Sequence, residues 1–380
     1  MARQVFMQIS RLEAVDLVFG FEKFFGQSCL VVLSEVGGAD ATSCRVGHGL
    51  GVKMSHSCSE MANKARSGNL ADIRPCIGCC LGCINNVILF EDAASCVMNP
   101  EVNREYLFKK IEKVVSPKNI LVVGAGPAGL AVARKLAIRG HRVTICEEKG
   151  YIGGVLKFAA IPPKRIELEE LIEYYQRELQ KLKVEIRLNI QINNELIDAI
   201  NPDTVVLATG SLPQIPQISG LLETKMEIYT VIEVLENNTA LSDRVIVLGG
   251  NQAALELADL IAEKGKEVVV LYRGEHFAME MAVNDRFYLR DRLNRAKVQL
   301  YKRVSIKQFL PTGVIFNFQD KELKLEGFEQ MIISEGMRSI RTVLNLIRER
   351  GIEIHIIGDA KGPRTLLESQ NEADAIGRTI

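Results

Sequence analysis

The stretch from Asn119 to Glu147 constrains this chain more than any other. A short apolar strand, Asn119 to Val123, runs into Gly124-Ala125-Gly126-Pro127-Ala128-Gly129. An Ala/Leu-rich helix closed by Gly140 follows, and a second strand, Arg142 to Cys146, ends on Glu147. Each residue type has a physical role in a βαβ unit that grips a dinucleotide. Gly124 makes the tight turn, Gly126 lets backbone approach a pyrophosphate, and Gly129 lets helix and strand pack closely. Pro127 and Ala128 open the helix, whose first amides face the phosphates. Glu147 falls roughly 20 residues past the glycines, where a carboxylate accepts the hydroxyls of an adenosine ribose. An incidental glycine-rich turn would not arrive with strand, helix and acid in register.

A chain of 380 residues predicts two or three domains with ample buried core. Lys plus Arg (47) balances Asp plus Glu (47), so no net field favours nucleic acid or an anionic membrane. No apolar run approaches a membrane span and the N-terminus lacks a signal-peptide pattern, so a soluble, cytoplasmic protein is expected. Five of the nine cysteines, Cys76, Cys79, Cys80, Cys83 and Cys96, fall in one short stretch. In a reducing compartment such clustering points to metal or redox chemistry rather than disulfides.

Cys76, Cys79 and Cys83 are spaced C-x2-C-x3-C in a loop that Gly78 and Gly82 allow to curl, and Cys96 supplies a later fourth corner. Three thiolates on one loop and one distant thiolate suit a 4Fe–4S cluster on Cys76, Cys79, Cys83 and Cys96. The competing assignment is a structural zinc, which usually shows two separated C-x2-C pairs. Cys80 is a spare thiol, or a substitute for Cys79 if the loop is remodelled.

Before the cluster, Met1 to about Ser67 carries no catalytic constellation, and His48 and His56 read as surface or packing histidines. After Glu147 come a Gly-rich loop with Gly153 and Gly154, a Pro162-Pro163 turn, and a long amphipathic helix from about Ile166 to Leu182. A strand from Asp203 to Leu207 ends in Ala208-Thr209-Gly210, small residues suited to backbone beside a cofactor. A second βαβ unit begins at Arg244 with Gly249-Gly250-Asn251-Gln252-Ala253-Ala254. Asn251 stands at the middle glycine, where a side chain is expected to obstruct the pyrophosphate. Tyr272 takes the acid's place, and Arg273 after it suits a 2'-phosphate, a weak lean to NADPH; the alternative is a domain kept for architecture alone. Near the end a helix is expected from about Ile340 to Glu349, then a strand from Glu353 to Ile357 and the turn Gly358-Asp359-Ala360, whose carboxylate suits a ribityl chain or phosphate.

From about Met61 onward the chain resembles the C-terminal two-thirds of the dienoyl-CoA reductase and NADH:flavin oxidoreductase family, which includes enoate reductases and trimethylamine dehydrogenase. The residues that carry the resemblance are Asn63-Lys64-Ala65-Arg66, Ile73 to Cys79, Cys96-Val97-Met98-Asn99-Pro100 and Val122 to Leu130. Gly153-Gly154 with Ala159 to Pro163, Ala208-Thr209-Gly210 and Ile357 to Ala360 complete the set. The resemblance implies an α/β fold of two nested Rossmann-like domains of the disulfide-reductase type. FAD would lie on Gly124, Gly126, Gly129 and Glu147 with Asp359 near its ribityl phosphate, in a discontinuous domain of residues 113–215 and 335–380. A nicotinamide-nucleotide domain would span 216–334, and the cluster segment with its linker 69–112.

In that family a preceding TIM barrel holds FMN and reduces the substrate. A barrel needs about 250 residues, and residues 1–68 are at most its remnant, so neither FMN nor a catalytic acid is expected in this chain. Two functions follow as expectations. One is an oxidoreductase passing electrons from NAD(P)H through FAD and the cluster to a barrel-containing partner or another acceptor at the cluster face. The other is a truncated or docking subunit with a vestigial nicotinamide domain. A disulfide reductase is a third, weaker expectation, because Cys146 has no cysteine partner in these segments.

Overall fold

The computed structural model describes residues 57–89, 91–108 and 111–380. The expected barrel-end segment lies outside these up to residue 56, and His48 and His56 with it.

Strands β1 (Asn119–Val123), β2 (Arg142–Cys146), β3 (Glu185–Arg187) and β4 (Thr204–Leu207) are followed by β5 (Ser211–Pro213), β6 (Glu227–Thr230), β7 (Arg244–Leu248), β8 (Glu267–Tyr272) and β9 (Gln299–Lys302). Then β10 (Ser305–Leu310), β11 (Gly313–Phe318) and β12 (Lys321–Glu326) precede β13 (Gln330–Ile333), β14 (Met337–Ser339) and β15 (Glu353–Ile356). Ile120 to Val123 of β1 are all buried. A strand apolar on both faces needs cover on both, and that is met in an all-parallel sheet flanked by helices.

Two such sheets form. The first has the order β3-β2-β1-β4-β15 and the second β9-β8-β7-β13-β6, each parallel throughout. In each, the strand before a glycine turn lies centrally, where the chain reverses its direction of winding. That is the switch point at which open α/β sheets take ligands. The chain passes from one sheet to the other and back beside the antiparallel ribbon β5–β14. A three-stranded antiparallel sheet, β10-β11-β12, is inserted before β13.

The helix Pro127–Ile138 packs Leu130 and Leu136 into a core shared with Ile120 and Val122 of β1, Ile145 of β2 and Leu171 and Leu179 of the helix Glu167–Lys181. Each fully buried Leu or Ile there stabilises by about 1.5–3 kcal/mol. Ile77, Val97 and Met98 of the cysteine-bearing segment belong to the same core.

The helix expected from Ile340 to Glu349 is confined to Leu344–Arg348. Thr209 Oγ1 donates to the Ile340 carbonyl (2.6 Å) and Ile340 N–H to the Gly210 carbonyl (3.0 Å), which hold the preceding chain against the exit of β4.

Candidate functional site

At the end of β1, Gly124 has φ +104°, and a Cβ there would meet the Ala208 carbonyl. A Cβ on Gly129 would run into the Gly124 carbonyl, so the helix closes directly on the turn. Gly126 differs: nothing lies within 4 Å of where its Cβ would stand. The turn is therefore closed behind and open in front, where a group would lie along the backbone. The helix behind it has no side-chain cap, and its first residue is Pro127, so the amides of Ala128 and Gly129 stand free for an anion.

Around this opening the fold gathers the other predicted residues. Glu147 is buried, accepting from Ala125 N–H (2.7 Å) and Lys149 N–H (2.9 Å). Gly153 N–H donates to the Ala125 carbonyl (2.8 Å), and a Cβ on Gly154 would come within 3.1 Å of Gly126 Cα. Ala208 N–H continues the β1–β4 ladder to the Val123 carbonyl (2.9 Å), with Thr209 and Gly210 beyond it. Gly358 packs on Ala128, and Asp359 accepts from Ser211 Oγ (2.8 Å). Ser211 was not singled out from the sequence; its place immediately after Ala208-Thr209-Gly210 was the available signal.

The second turn is built differently. Asn251 does not project outward: its Oδ1 accepts from Ala254 N–H (2.9 Å) and Ser334 Oγ (2.7 Å), and its Nδ2 donates to the Ser334 carbonyl (3.1 Å). This capping starts the helix at Gln252. The Tyr272 ring, in the acid's place, lies on Gly250, where a Cβ would clash with it. Gly249 backs onto Ser334, and Arg273 Nε pairs with Glu335 (3.1 Å). Burial pushes the Glu335 carboxyl up while Arg273 opposes that rise.

The cysteine segment is tied at both ends. Arg74 Nη1 donates to the Met98 carbonyl (2.6 Å), and Ser95 N–H to the Gly82 carbonyl (2.7 Å). Cys76, Cys79, Cys83 and Cys96 are half-buried, and Cys80 is fully buried. Burial pushes the Cys79 thiol up, and Cys83, Cys96 and Cys76 add to the rise. Cys96 is raised by burial and then by Cys76 and Cys83. These four thiols thus lie near enough to feel one another's charge. Among the described residues, no three His, Cys, Asp or Glu side chains converge as ligands of a single ion.

Residues 118–362 match the sequence model of the family described as Pyridine nucleotide-disulphide oxidoreductase. The chain belongs to that family. Its members are oxidoreductases built on FAD- and nicotinamide-nucleotide-binding folds, and the two parallel sheets are those of this family. The chain is 29% identical over 304 residues to an NADH oxidase of Thermoanaerobacter brockii, an alignment covering 79% of this chain and 47% of the relative. A cinnamate reductase of Clostridium sporogenes is 28% identical over 327 residues, covering 85% and 48%. Among solved structures, a 2-naphthoyl-CoA reductase in complex with 2-naphthoyl-CoA superimposes with a TM-score of 0.82 at 30% identity, covering 86% of this chain and 50% of that one. The chain thus spans about half the length of the curated relatives it matches. No helix among the described residues is long and apolar enough to cross a membrane.

Proposed function

We propose that this chain is the reductase part of a flavin and iron–sulfur oxidoreductase, passing electrons from NAD(P)H through FAD at the first glycine turn and a 4Fe–4S cluster on Cys76, Cys79, Cys83 and Cys96 to a barrel-containing partner or other acceptor. Flavin, when bound, supplies two-electron uptake from nicotinamide and one-electron release, chemistry that side chains do not provide. Gly126 leaves room for its pyrophosphate, the Ala128 and Gly129 amides face the phosphates, and Glu147 offers a carboxylate to the ribose. Asp359 and Ser211 form the far rim.

The observation that carries the reading is the packing of the cysteine segment on the first unit. Cys79 and Cys96 lie against the same core that holds Ile120 and Leu130. Three cysteines spaced C-x2-C-x3-C with a later fourth suit a cluster with one iron per thiolate better than a zinc site, which usually shows two separated C-x2-C pairs. The named relatives are oxidases and reductases, and the half of them that this chain does not span would hold the substrate chemistry. Val87 and Leu70, exposed on the cysteine segment, support an acceptor docking there. Arg273, mostly exposed beside Glu335, favours NADPH over NADH.

The test is anaerobic addition of NADPH, then NADH, to protein reconstituted with FAD, iron and sulfide, watching the oxidised flavin band. Bleaching is expected, with NADPH the more effective; protein that retains neither flavin nor iron would overturn the reading.

The way the Tyr272 ring lies on Gly250 and the Glu280 carboxylate takes the Gln252 amide favours a second reading, a docking subunit whose nicotinamide unit does not turn over. Flavin that dithionite reduces but neither nucleotide does would decide for it.

A further inference from the structure

The two glycine turns of this chain differ in what meets their helix amides. At the first, the helix has no side-chain cap and the space before Gly126 is open. At the second, two of the first-turn donors are taken by the chain itself. Asn251 Oδ1 accepts from Ala254 N–H, and the Glu280 carboxylate, 28 residues on, accepts from Gln252 N–H. A negatively charged carboxylate on the first amide of a 12-residue helix stands in the same electrostatic relation to it as a nucleotide phosphate would.

The placement of Glu280 is built rather than incidental. Ala278 N–H donates to the Gly250 carbonyl (2.7 Å), and Ala278, Met281 and Ala282 are all buried on either side of it. The Phe277 ring packs on Tyr272 with centroids 5.4 Å apart. The backbone that carries Glu280 is therefore anchored to the turn, whereas Glu280 itself is exposed and its carboxylate is free to swing away. Across the same mouth Arg273 reaches from the end of β8 to Glu335 beyond β13, on the far side of β7.

We propose that Glu280 is a built-in competitor for the phosphate position of the second turn, so that a pyridine nucleotide binds there only by displacing this carboxylate from the Gln252 amide. The proposal rests on the reading that this unit takes a nicotinamide nucleotide. Glu280 would then set nucleotide affinity without touching the flavin. Because the competition is for an anion, it acts on ligands that place a phosphate at this turn and not on an uncharged nucleoside.

Equilibrium binding of NADPH, NADH, ADP and adenosine to the full, FAD-loaded chain tests this, comparing the unaltered protein with Glu280→Ala and Glu280→Gln. Glu280→Ala is expected to tighten the three pyrophosphate ligands roughly tenfold, the loss of one charged hydrogen bond at a helix end, and to leave adenosine unchanged. Glu280→Gln, which keeps the side chain's shape but not its charge, is expected to fall between. Equal affinities in all three proteins, or an equal gain for adenosine, would overturn the competitor role while leaving the nucleotide site standing. Absence of NADPH and NADH binding from all three would overturn the nucleotide reading and the proposal together.

Discussion

Gly82 and Ser95 lock the cysteine segment: the Ser95 amide donates to the Gly82 carbonyl at 2.7 Å, and the two backbones approach so closely that a Cβ on Gly82 would lie 2.8 Å from the Ser95 carbonyl carbon. Each residue directly precedes a cysteine, so this contact brings Cys83 and Cys96 together. Gly82→Ala should part the two backbones, costing about 1–3 kcal/mol as an overpacked site. The expected outcome is a chain that folds by circular dichroism but retains less than half the iron of the unaltered protein after anaerobic reconstitution.

Cys79 and Cys80 are adjacent in sequence and differ in burial and backbone conformation. Cys79 feels Cys76, Cys83 and Cys96, whereas Cys80 is buried with φ +53° and its thiol directed to the Gly78 carbonyl. Iron analysis should find Cys80→Ser loaded as fully as the parent and Cys79→Ser empty. Equal losses in both would reverse the ligand choice.

Gly126→Ala separates folding from cofactor binding. The new methyl group enters open space, so the melting temperature of the flavin-free protein should move by no more than about 0.5 kcal/mol would produce. FAD affinity should fall at least tenfold, because the methyl group occupies the path of the pyrophosphate. Flavin retention measured by ultrafiltration reads this directly.

Arg165, from the loop after Pro162-Pro163, crosses to the second unit and donates through Nε to Glu256 (2.7 Å), which also accepts from Gln252 Nε2 (3.0 Å). Both charges are nearly buried, with side chains 13% and 10% exposed. Arg165→Met leaves the Glu256 carboxylate, and Asp285 at 3.6 Å, without their cation and should destabilise by about 3–5 kcal/mol, while adding Glu256→Leu should recover only part of that because Asp285 stays unpaired by Arg165. Urea unfolding of the two single variants and the double variant gives the cycle.

Lys118, hydrogen-bonded to Glu353 at 2.8 Å, draws the Glu353 carboxyl down to about 2. A carboxyl lowered on folding stabilises above its ordinary value and loses that contribution as pH falls toward its folded value. Both side chains are more than a third exposed, so the pair is worth less than about 1 kcal/mol. In urea unfolding, Glu353→Gln should therefore differ from the parent by a few tenths of a kcal/mol near neutrality, and the two should converge as pH is lowered from about 4.5 to 2.

Much of the fold was legible because it is written in local pattern. The buried strands β1 and β7, the glycine turns after them and the amphipathic helix Glu167–Lys181 all carry their signal within a few consecutive residues. The antiparallel sheet β10–β12 was not read, although Gln319-Asp320, both with positive φ, make the two-residue turn between β11 and β12 and the flanking residues alternate. Its strands are short and partly exposed, and their register depends on pairing rather than on an apolar run.

The sequence by itself determined the two βαβ units, the open first turn with Glu147 behind it, and the spacing of Cys76, Cys79, Cys83 and Cys96. Only the tertiary structure decided how the second turn is filled. Asn251 reads as an obstruction, yet its side chain turns inward to Ser334, 83 residues away, while Tyr272 and Glu280 take up the turn from the other side. These contacts join β7, β8 and β13, and no local propensity encodes them. They follow from the order and register in which those strands pair, which set which side chains arrive at the same end of the sheet.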